Sequence, residues 1–208
     1  MGLDLIQWWK DNVFTSKGIE TSGETPLKLQ DTVWVDLIGY TIARNLDSTR
    51  DHIDYNYDDG TVDFDDNADT TDNRDAITIN YQINHNTDRE TVAVVARPHF
   101  HWLQTLDLTP AWVWQWRVLE NGKSISAWSA KTEVTAKVYP WIAGGLVQIT
   151  SLGDIPIEGV SISSIVQVRL WRDGNSANDT YGGTDVQVLS SDTHVPLKYL
   201  GSKTEFVQ

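Results

Sequence analysis

The sequence contains no cysteine, and this absence excludes several kinds of chemistry. Without thiols the chain can form no disulfide, no thiolate metal site and no cysteine nucleophile. Basic residues are also scarce, because 16 lysines and arginines stand against 29 acidic residues and the formal net charge is −13. Nucleic acids and most membrane surfaces are themselves anionic. We therefore expect no direct contact with nucleic acid or with a membrane.

Long apolar runs are missing as well. No stretch approaches the roughly 20 apolar residues that a membrane-spanning helix needs. The opening residues, Met1 to Phe14, lack the basic start and the continuous apolar centre of a signal peptide, so we expect synthesis in a cytoplasm. The sequence also lacks a phosphate-binding glycine loop and a nucleophile elbow. It predicts no catalytic site, and we expect a protein that is not an enzyme.

Tryptophan is abundant by contrast, with ten residues in a chain of 208. Such large rings are used in hydrophobic cores and at subunit interfaces. From residue 27 onward, short β-rich runs alternate with turn residues, a pattern that is typical of a sandwich or barrel. The sequence predicts an all-β fold, a jelly-roll-like two-sheet β-sandwich over residues 27–208, with an acidic insertion at 47–75.

The clearest period-two alternation places Trp112, Trp114 and Trp116 on one face of a predicted strand. That face belongs either in the core or at an interface between subunits. Three coplanar, exposed indoles would instead form a platform for the flat faces of sugars. Burial of these three side chains distinguishes the alternatives.

Residues 1–26 are predicted to form an N-terminal arm. Leu5, Trp8 and Trp9 are spaced as in a short amphipathic helix, which is followed by a connector rich in Ser, Thr and Gly. A helix this short is marginal alone. We expect Trp8 and Trp9 to anchor the arm on the sandwich or on a partner, and a frayed terminus is the alternative.

The acidic insertion holds eleven aspartates and two arginines. Its first part resembles the start of a calcium loop, in which alternating oxygen ligands precede a glycine. The candidate ligands are Asp54, Asn56 and Asp58. Gly60 comes one residue late for that pattern, and the last position holds Asp65 in place of a bidentate glutamate. A solvated acidic surface is the alternative to structural calcium.

His99 and His101 lie two residues apart and should point to one face of a strand, next to Trp102. That spacing suits zinc or iron, provided that a third ligand comes from elsewhere in the chain. The candidates for this ligand are His52, His85, His194 and the aspartates. A pair hydrogen-bonded to the backbone, or a pair at an interface between copies, is the alternative that we favour.

Two stretches of the sequence carry a family resemblance. The first is Arg97-Pro-His-Phe-His-Trp-Leu-Gln104, followed by the strand with Trp112, Trp114 and Trp116. The second runs from Val168 to Gly183 and is followed by Asp192-Thr-His194 and Leu200-Gly-Ser202. Together, over roughly residues 75–205, they resemble small virion structural proteins of tailed bacteriophages. The resemblance implies a jelly-roll body, self-association that is often trimeric, and a place in the particle.

From this resemblance we expect a capsid decoration or cementing protein, made in a bacterial host and located in the virion. Its partners would be copies of itself and other virion proteins such as the major capsid protein. The residues expected to self-associate or anchor are Trp8, Trp9, His99, His101, Trp102, Trp112, Trp114 and Trp116. A tail, baseplate or head-fibre component is one alternative, and a carbohydrate- or receptor-binding sandwich is another. No cofactor is expected beyond structural calcium.

Overall fold

The computed structural model describes residues 19–20, 27–44, 53–56, 58, 60–64, 76–135 and 137–200. Their regular structure is β-strand, and this part of the chain includes no helix of the length and apolar character that a bilayer crossing requires. The strands are β1 (Ile19–Glu20), β2 (Leu27–Ile38), β3 (Tyr40–Arg44), β4 (Ile53–Asn56), β5 (Thr61–Phe64), β6 (Ile77–Gln82), β7 (Val95–Gln104), β8 (Trp112–Leu119), β9 (Thr132–Val134), β10 (Leu146–Ser151), β11 (Ile155–Pro156), β12 (Ile165–Arg172) and β13 (Val186–Leu200).

These strands form two antiparallel sheets. In the eight-stranded sheet, β13 pairs along one side with β5 and then β2, and along its other side with β7. β7 also pairs with β10 and β11, while β1 extends β2 and β4 extends β5. The five-stranded sheet has the order β3-β6-β12-β8-β9. The all-β, two-sheet sandwich predicted from the sequence is confirmed.

Gly39 is the corner at which the chain passes from β2 in one sheet to β3 in the other. Its N–H donates a hydrogen bond to the carbonyl of Ser191 at 2.8 Å. A β-carbon at this position would lie 2.5 Å from Ile79 Cγ2 and 2.6 Å from the Tyr81 ring. The same β-carbon would lie 2.9 Å from the Ser191 carbonyl oxygen of β13, so glycine allows this corner to lie close to both β6 and β13.

An aromatic cluster fills the space between the sheets, with Trp112 at its centre. Phe64, Phe100 and Trp102 meet the Trp112 ring edge-on, at centroid distances of 5.3, 4.9 and 6.4 Å. Edge-to-face packing of this kind is favoured by the charge distribution of aromatic rings. The core is thus built from large rings contributed by both sheets.

Trp112, Trp114 and Trp116 share one face of β8, as predicted, and this face packs into the core. Trp112 and Trp114 are 1% and 4% exposed, and the half-buried Trp116 packs against the same core. The sugar platform is therefore not formed. The predicted role of Trp102, Trp112 and Trp114 in self-association is also wrong, because side chains enclosed within one sandwich have no surface left for a partner.

Two of the predicted segments contain strands of the eight-stranded sheet. The predicted connector includes β1, whose Ile19 pairs with Leu29 and extends the edge of the eight-stranded sheet. The acidic insertion includes β4 and β5, and its Phe64 is 1% exposed in the core. The predicted helix from Leu3 to Phe14, with Trp8 and Trp9, lies outside the described residues.

The predicted calcium loop does not have a loop conformation. Asp54 and Asn56 belong to β4, which pairs with β5 in an antiparallel hairpin, and Asp58 lies in the turn between the strands. A calcium loop curls so that successive ligands converge on one ion, whereas an extended strand keeps its backbone straight. The backbone of Asp54 and Asn56 thus differs from the expected calcium loop, and calcium binding by these three residues stays a prediction.

Candidate functional site

The strongest concentration of chemically active side chains lies on the outer face of the eight-stranded sheet. Phe100 in β7 points inward and is fully buried, so His99 and His101 on either side of it point outward. Their shared face is the one that the spacing predicts. The other ligand-type groups on this face come from a neighbouring strand.

β13 supplies Asp192 and His194 to the same face. Asp192 pairs directly with His99, His194 pairs with Arg97, and the buried Thr193 between them points inward. The two strands thus form a compact arrangement of four side chains, which we name the histidine–aspartate cluster: His99, His101, Asp192 and His194. His194 and an aspartate were among the candidate third ligands, whereas His85 lies elsewhere and is near Ser163. His52 lies outside the described residues.

The cluster is tightly spaced around the Asp192 carboxylate. Its Oδ1 atom lies 2.5 Å from His99 Nε2 and 3.9 Å from His101 Nε2. No described N–H or O–H group is aligned to donate a hydrogen bond to this oxygen. The His99 ring also lies edge-on to the rings of His101 and His194, with centroids 5.3 and 4.7 Å away.

Hydrogen bonds beneath the cluster fix its backbone. The Ser191 hydroxyl donates to the His99 carbonyl at 2.7 Å, and it also contacts the hydroxyl of Tyr81, which belongs to the other sheet. Burial raises the pKa of the Tyr81 phenol above its usual range, so this group stays neutral. The floor of the cluster is therefore tied across the sandwich.

The electrostatics of the cluster centre on the Asp192 carboxylate. Burial lowers the pKa of His99; Asp192 opposes this effect, and the neighbouring imidazoles of His194 and His101 reinforce it. At neutral pH His99 is therefore mostly uncharged. Among the described residues, no lysine or arginine forms an ion pair with Asp192. Its negative charge faces two imidazole nitrogens.

β2 completes this outer face with residues that the sequence did not single out. Asp36 Oδ1 lies 2.9 Å from His194 Nε2, and the guanidinium of Arg97 stacks 4.5 Å above the Trp34 ring. Arg97 also pairs with Asp154 at 3.2 Å. Arg97 is thus held by groups other than Asp192. The alternation of Trp34, Asp36 and Ile38 was a usable signal for an exposed face.

A second exposed feature lies where β10 forms an edge of the same sheet. The Gln148 side chain holds the preceding loop there, because it accepts from the Tyr139 N–H at 3.0 Å and donates to the Tyr139 carbonyl at 2.6 Å. Four large apolar side chains of this loop and of β10 are exposed: Val138, Tyr139, Ile142 and Val147. We name this set the apolar edge strip.

The outer face of the five-stranded sheet is covered differently, by residues of its own chain. Trp128 lies over this face with the guanidinium groups of Arg117 and Arg169 at 4.3 and 3.8 Å from its ring. Nearby, Trp171 is 1% exposed, and the Lys131 ammonium lies 5.3 Å from its ring. The two sheets therefore differ, since much of this face is occupied by intramolecular cation–π contacts.

The loop that follows β12 covers a buried ion pair between Arg172 and Asp179. The two salt-bridge contacts, Nε to Oδ2 and Nη2 to Oδ1, measure 2.8 and 2.9 Å. The guanidinium also donates to carbonyls, and the carboxylate accepts from backbone N–H groups. These partners are Thr184 and Gly182 for Arg172, and Ala111 and Tyr181 for Asp179. The sequence did not predict this pair.

Comparisons with known proteins identify no family for this chain. No protein-family model matches the chain, and no curated protein matches it. Among solved structures, a xylan-binding module, CBM15, is similar over 82% of this chain and 100% of that chain, with 14% identity and a TM-score of 0.36. A likeness at this identity and score carries no argument about the fold or the function of the present protein.

Proposed function

We propose that this chain is a non-enzymatic structural protein of a tailed-phage particle. It acts by self-association and by docking on other virion proteins, as a capsid decoration or cementing protein. The two motifs that resemble phage virion proteins support this proposal, and both fall within the β-sandwich. The apolar edge strip is the structural observation on which it rests.

The apolar edge strip is an uncharged surface on a strongly acidic protein. Residues 138–153 include no charged residue, although the whole chain carries a net charge of −13. Val138, Tyr139, Ile142 and Val147 are 60%, 48%, 57% and 45% exposed. Exposed apolar groups beside a sheet edge favour association with another chain. A second copy of this chain can approach here with the least repulsion between aspartates.

Light scattering at micromolar concentration and moderate salt tests self-association. We expect a trimer, with three times the chain mass of 23.4 kDa. Ile142→Asp and Val147→Asp should each shift the protein towards monomer, because a buried carboxylate at the contact is costly. Ile125→Asp is the matched control, since Ile125 is 77% exposed in a different loop. A monomeric wild-type protein would contradict the self-association.

The location in the particle has its own test. Antibodies against the folded protein should label the heads of native phage particles in electron microscopy. Label on tails or baseplates would favour the tail, baseplate or fibre alternative, and particles without label would overturn the virion role. The antibody should be checked on particles disrupted with denaturant, so that a hidden epitope is detected.

A carbohydrate- or receptor-binding role remains the second candidate, now with a different platform. Trp34 is 39% exposed on the outer face of the eight-stranded sheet, next to polar groups that could bind sugar hydroxyls. Affinity electrophoresis in soluble polysaccharides tests it. Retardation that Trp34→Ala abolishes would favour this candidate, whereas unchanged mobility would leave the structural role preferred.

A further inference from the structure

The histidine–aspartate cluster includes a set of three donor atoms that suits a metal ion. One atom from each of His99, His101 and Asp192 lies within 4.8 Å of the other two, and this is the one such group found in the described parts of the chain. Two imidazole nitrogens and one carboxylate oxygen are ligands of zinc and of neighbouring divalent transition metals. Harder ions such as calcium prefer sites made of oxygen alone.

We propose that His99, His101 and Asp192 bind one divalent transition-metal ion of the zinc class, with a fourth coordination position open to solvent. Ligand atoms around a tetrahedral zinc ion are separated by about 3.3 to 3.5 Å. The two distances from Asp192 Oδ1, 2.5 Å to His99 Nε2 and 3.9 Å to His101 Nε2, lie on either side of that value. Small side-chain rotations bring the three atoms to the required spacing.

The strands on which the ligands stand are well fixed. Phe100 between the two histidines and Thr193 next to Asp192 are completely buried, so neither strand can twist without disturbing the core. The Ser191 hydroxyl holds the His99 carbonyl from below at 2.7 Å. Ligands on adjacent, anchored strands are better preorganised than ligands on loops. The ion would also connect β7 to β13 through their side chains.

Access to the site is from solvent. The side chains of His99, Asp192 and His101 are 12%, 23% and 27% exposed. His194 has its Nε2 atom 2.9 Å from Asp36 Oδ1, so that nitrogen is already engaged with another group. Three protein ligands then leave one position for water or for a donor atom from another molecule. β10, which carries Val147 of the apolar edge strip, pairs with β7 beside His101. The metal site is nevertheless defined by its own three ligands and does not depend on the virion role.

Calorimetric titration of the metal-free, full-length protein with Zn²⁺ tests the binding. We expect one ion per chain and an affinity at least about tenfold weaker in His99→Ala, His101→Ala and Asp192→Asn, since loss of even an outer partner of a zinc ligand has such an effect. His85→Gln is the matched control, because His85 lies near Ser163 and outside the cluster. Far-UV circular dichroism verifies that each variant is folded.

Equal Zn²⁺ affinity in wild-type protein, Asp192→Asn and His101→Ala would overturn the proposal, as would the absence of binding in the wild type. Weaker binding in His85→Gln than in the ligand variants would do the same. A single ion that every ligand variant binds as tightly as the wild type would assign the binding to a different site.

Co²⁺ tests the open position, because its visible spectrum reports its ligands. Loaded wild-type protein should show the intense bands of four-coordinate Co²⁺, absent in Asp192→Asn, and added imidazole should shift them by entering the open position. His194→Ala should keep both the bands and the shift. Bands that imidazole leaves unchanged, or that His194→Ala removes, would overturn the open fourth position.

Discussion

Two clusters of ionisable side chains in this sandwich differ in how completely their polar atoms are ion-paired and hydrogen-bonded. Arg172 and Asp179 have side chains that are 0% and 1% exposed, and each bonds both to the other and to surrounding backbone groups. In the histidine–aspartate cluster, Asp192 has no lysine or arginine partner among the described residues. The first cluster is enclosed, and the second is open to solvent.

This difference separates a structural role from a binding role. Burying a charge is costly unless pairing and hydrogen bonds compensate for it, and the Arg172–Asp179 pair meets that condition. Such a pair contributes to folding by holding the loop of residues 173–184 in one conformation. An open cluster with unused lone pairs contributes little to folding, and its donor atoms remain available to a ligand.

The largest expected effect follows from breaking the enclosed pair. Asp179→Ala should lower the free energy of unfolding by about 3 to 5 kcal/mol, because it leaves the Arg172 guanidinium buried without its counter-ion. Urea denaturation measures this change. Asp154→Ala is the control, since the Arg97–Asp154 pair is about half exposed and its loss should cost less than about 1 kcal/mol. Equal effects of the two substitutions would contradict the distinction between enclosed and exposed ion pairs.

A smaller effect is expected when acid neutralises the same pair. Burial alone would raise the pKa of Asp179, but the hydrogen bonds and charge of Arg172, together with the N–H groups of Ala111 and Tyr181, outweigh it and lower the pKa. A carboxylate with a lowered folded-state pKa adds stability above its unfolded value of 3.8, and this contribution is lost as the pH falls further.

Urea denaturation between pH 6 and pH 3 therefore should show a loss of wild-type stability that is steepest below about pH 4. Asp179→Asn cannot titrate at this position and should lose less stability over the same range. If both proteins followed the same pH profile, Asp179 would not be ionised in the fold as its contacts require.

The smallest effect is expected in the open cluster. Asp192→Asn should change the free energy of unfolding by less than about 1 kcal/mol in metal-free protein, because the carboxylate is partly exposed and no described lysine or arginine pairs with it. Thermal denaturation in the presence of a chelator measures it, with Asp179→Asn as the sensitive counterpart. A cost as large as that of Asp179→Asn would make Asp192 a structural residue.

The sequence predicted local features well and long-range features poorly. The alternation around Phe100 was enough to place His99 and His101 on one face, since side-chain direction in a strand depends only on its neighbours. The pairing of His99 with Asp192 depends on β13 meeting β7, which no local pattern encodes. For the same reason the third donor atom remained one of several candidates.

The acidic composition of one segment gave no indication of the core residue that the segment contains. The many aspartates of residues 47–75 indicated a solvated segment, yet Phe64 packs edge-on against Trp112 at 5.3 Å. The row of Trp112, Trp114 and Trp116 could be assigned to core or interface, and its burial depends in part on Phe64, which comes from a distant part of the chain. Likewise, nothing in the spacing of Arg172 and Asp179 indicated that the intervening loop folds back on itself.

The position of β13 has a consequence for how the protein folds during synthesis. This strand contacts β2, β5 and β7, and it is the last strand of the described chain to leave the ribosome. Until then these partners present unpaired edges, a state that is prone to aggregate. Folding that depends on such distant pairings is slow. We therefore expect a higher yield of folded protein under slow translation and at low temperature, because both limit the concentration of unfinished sheets.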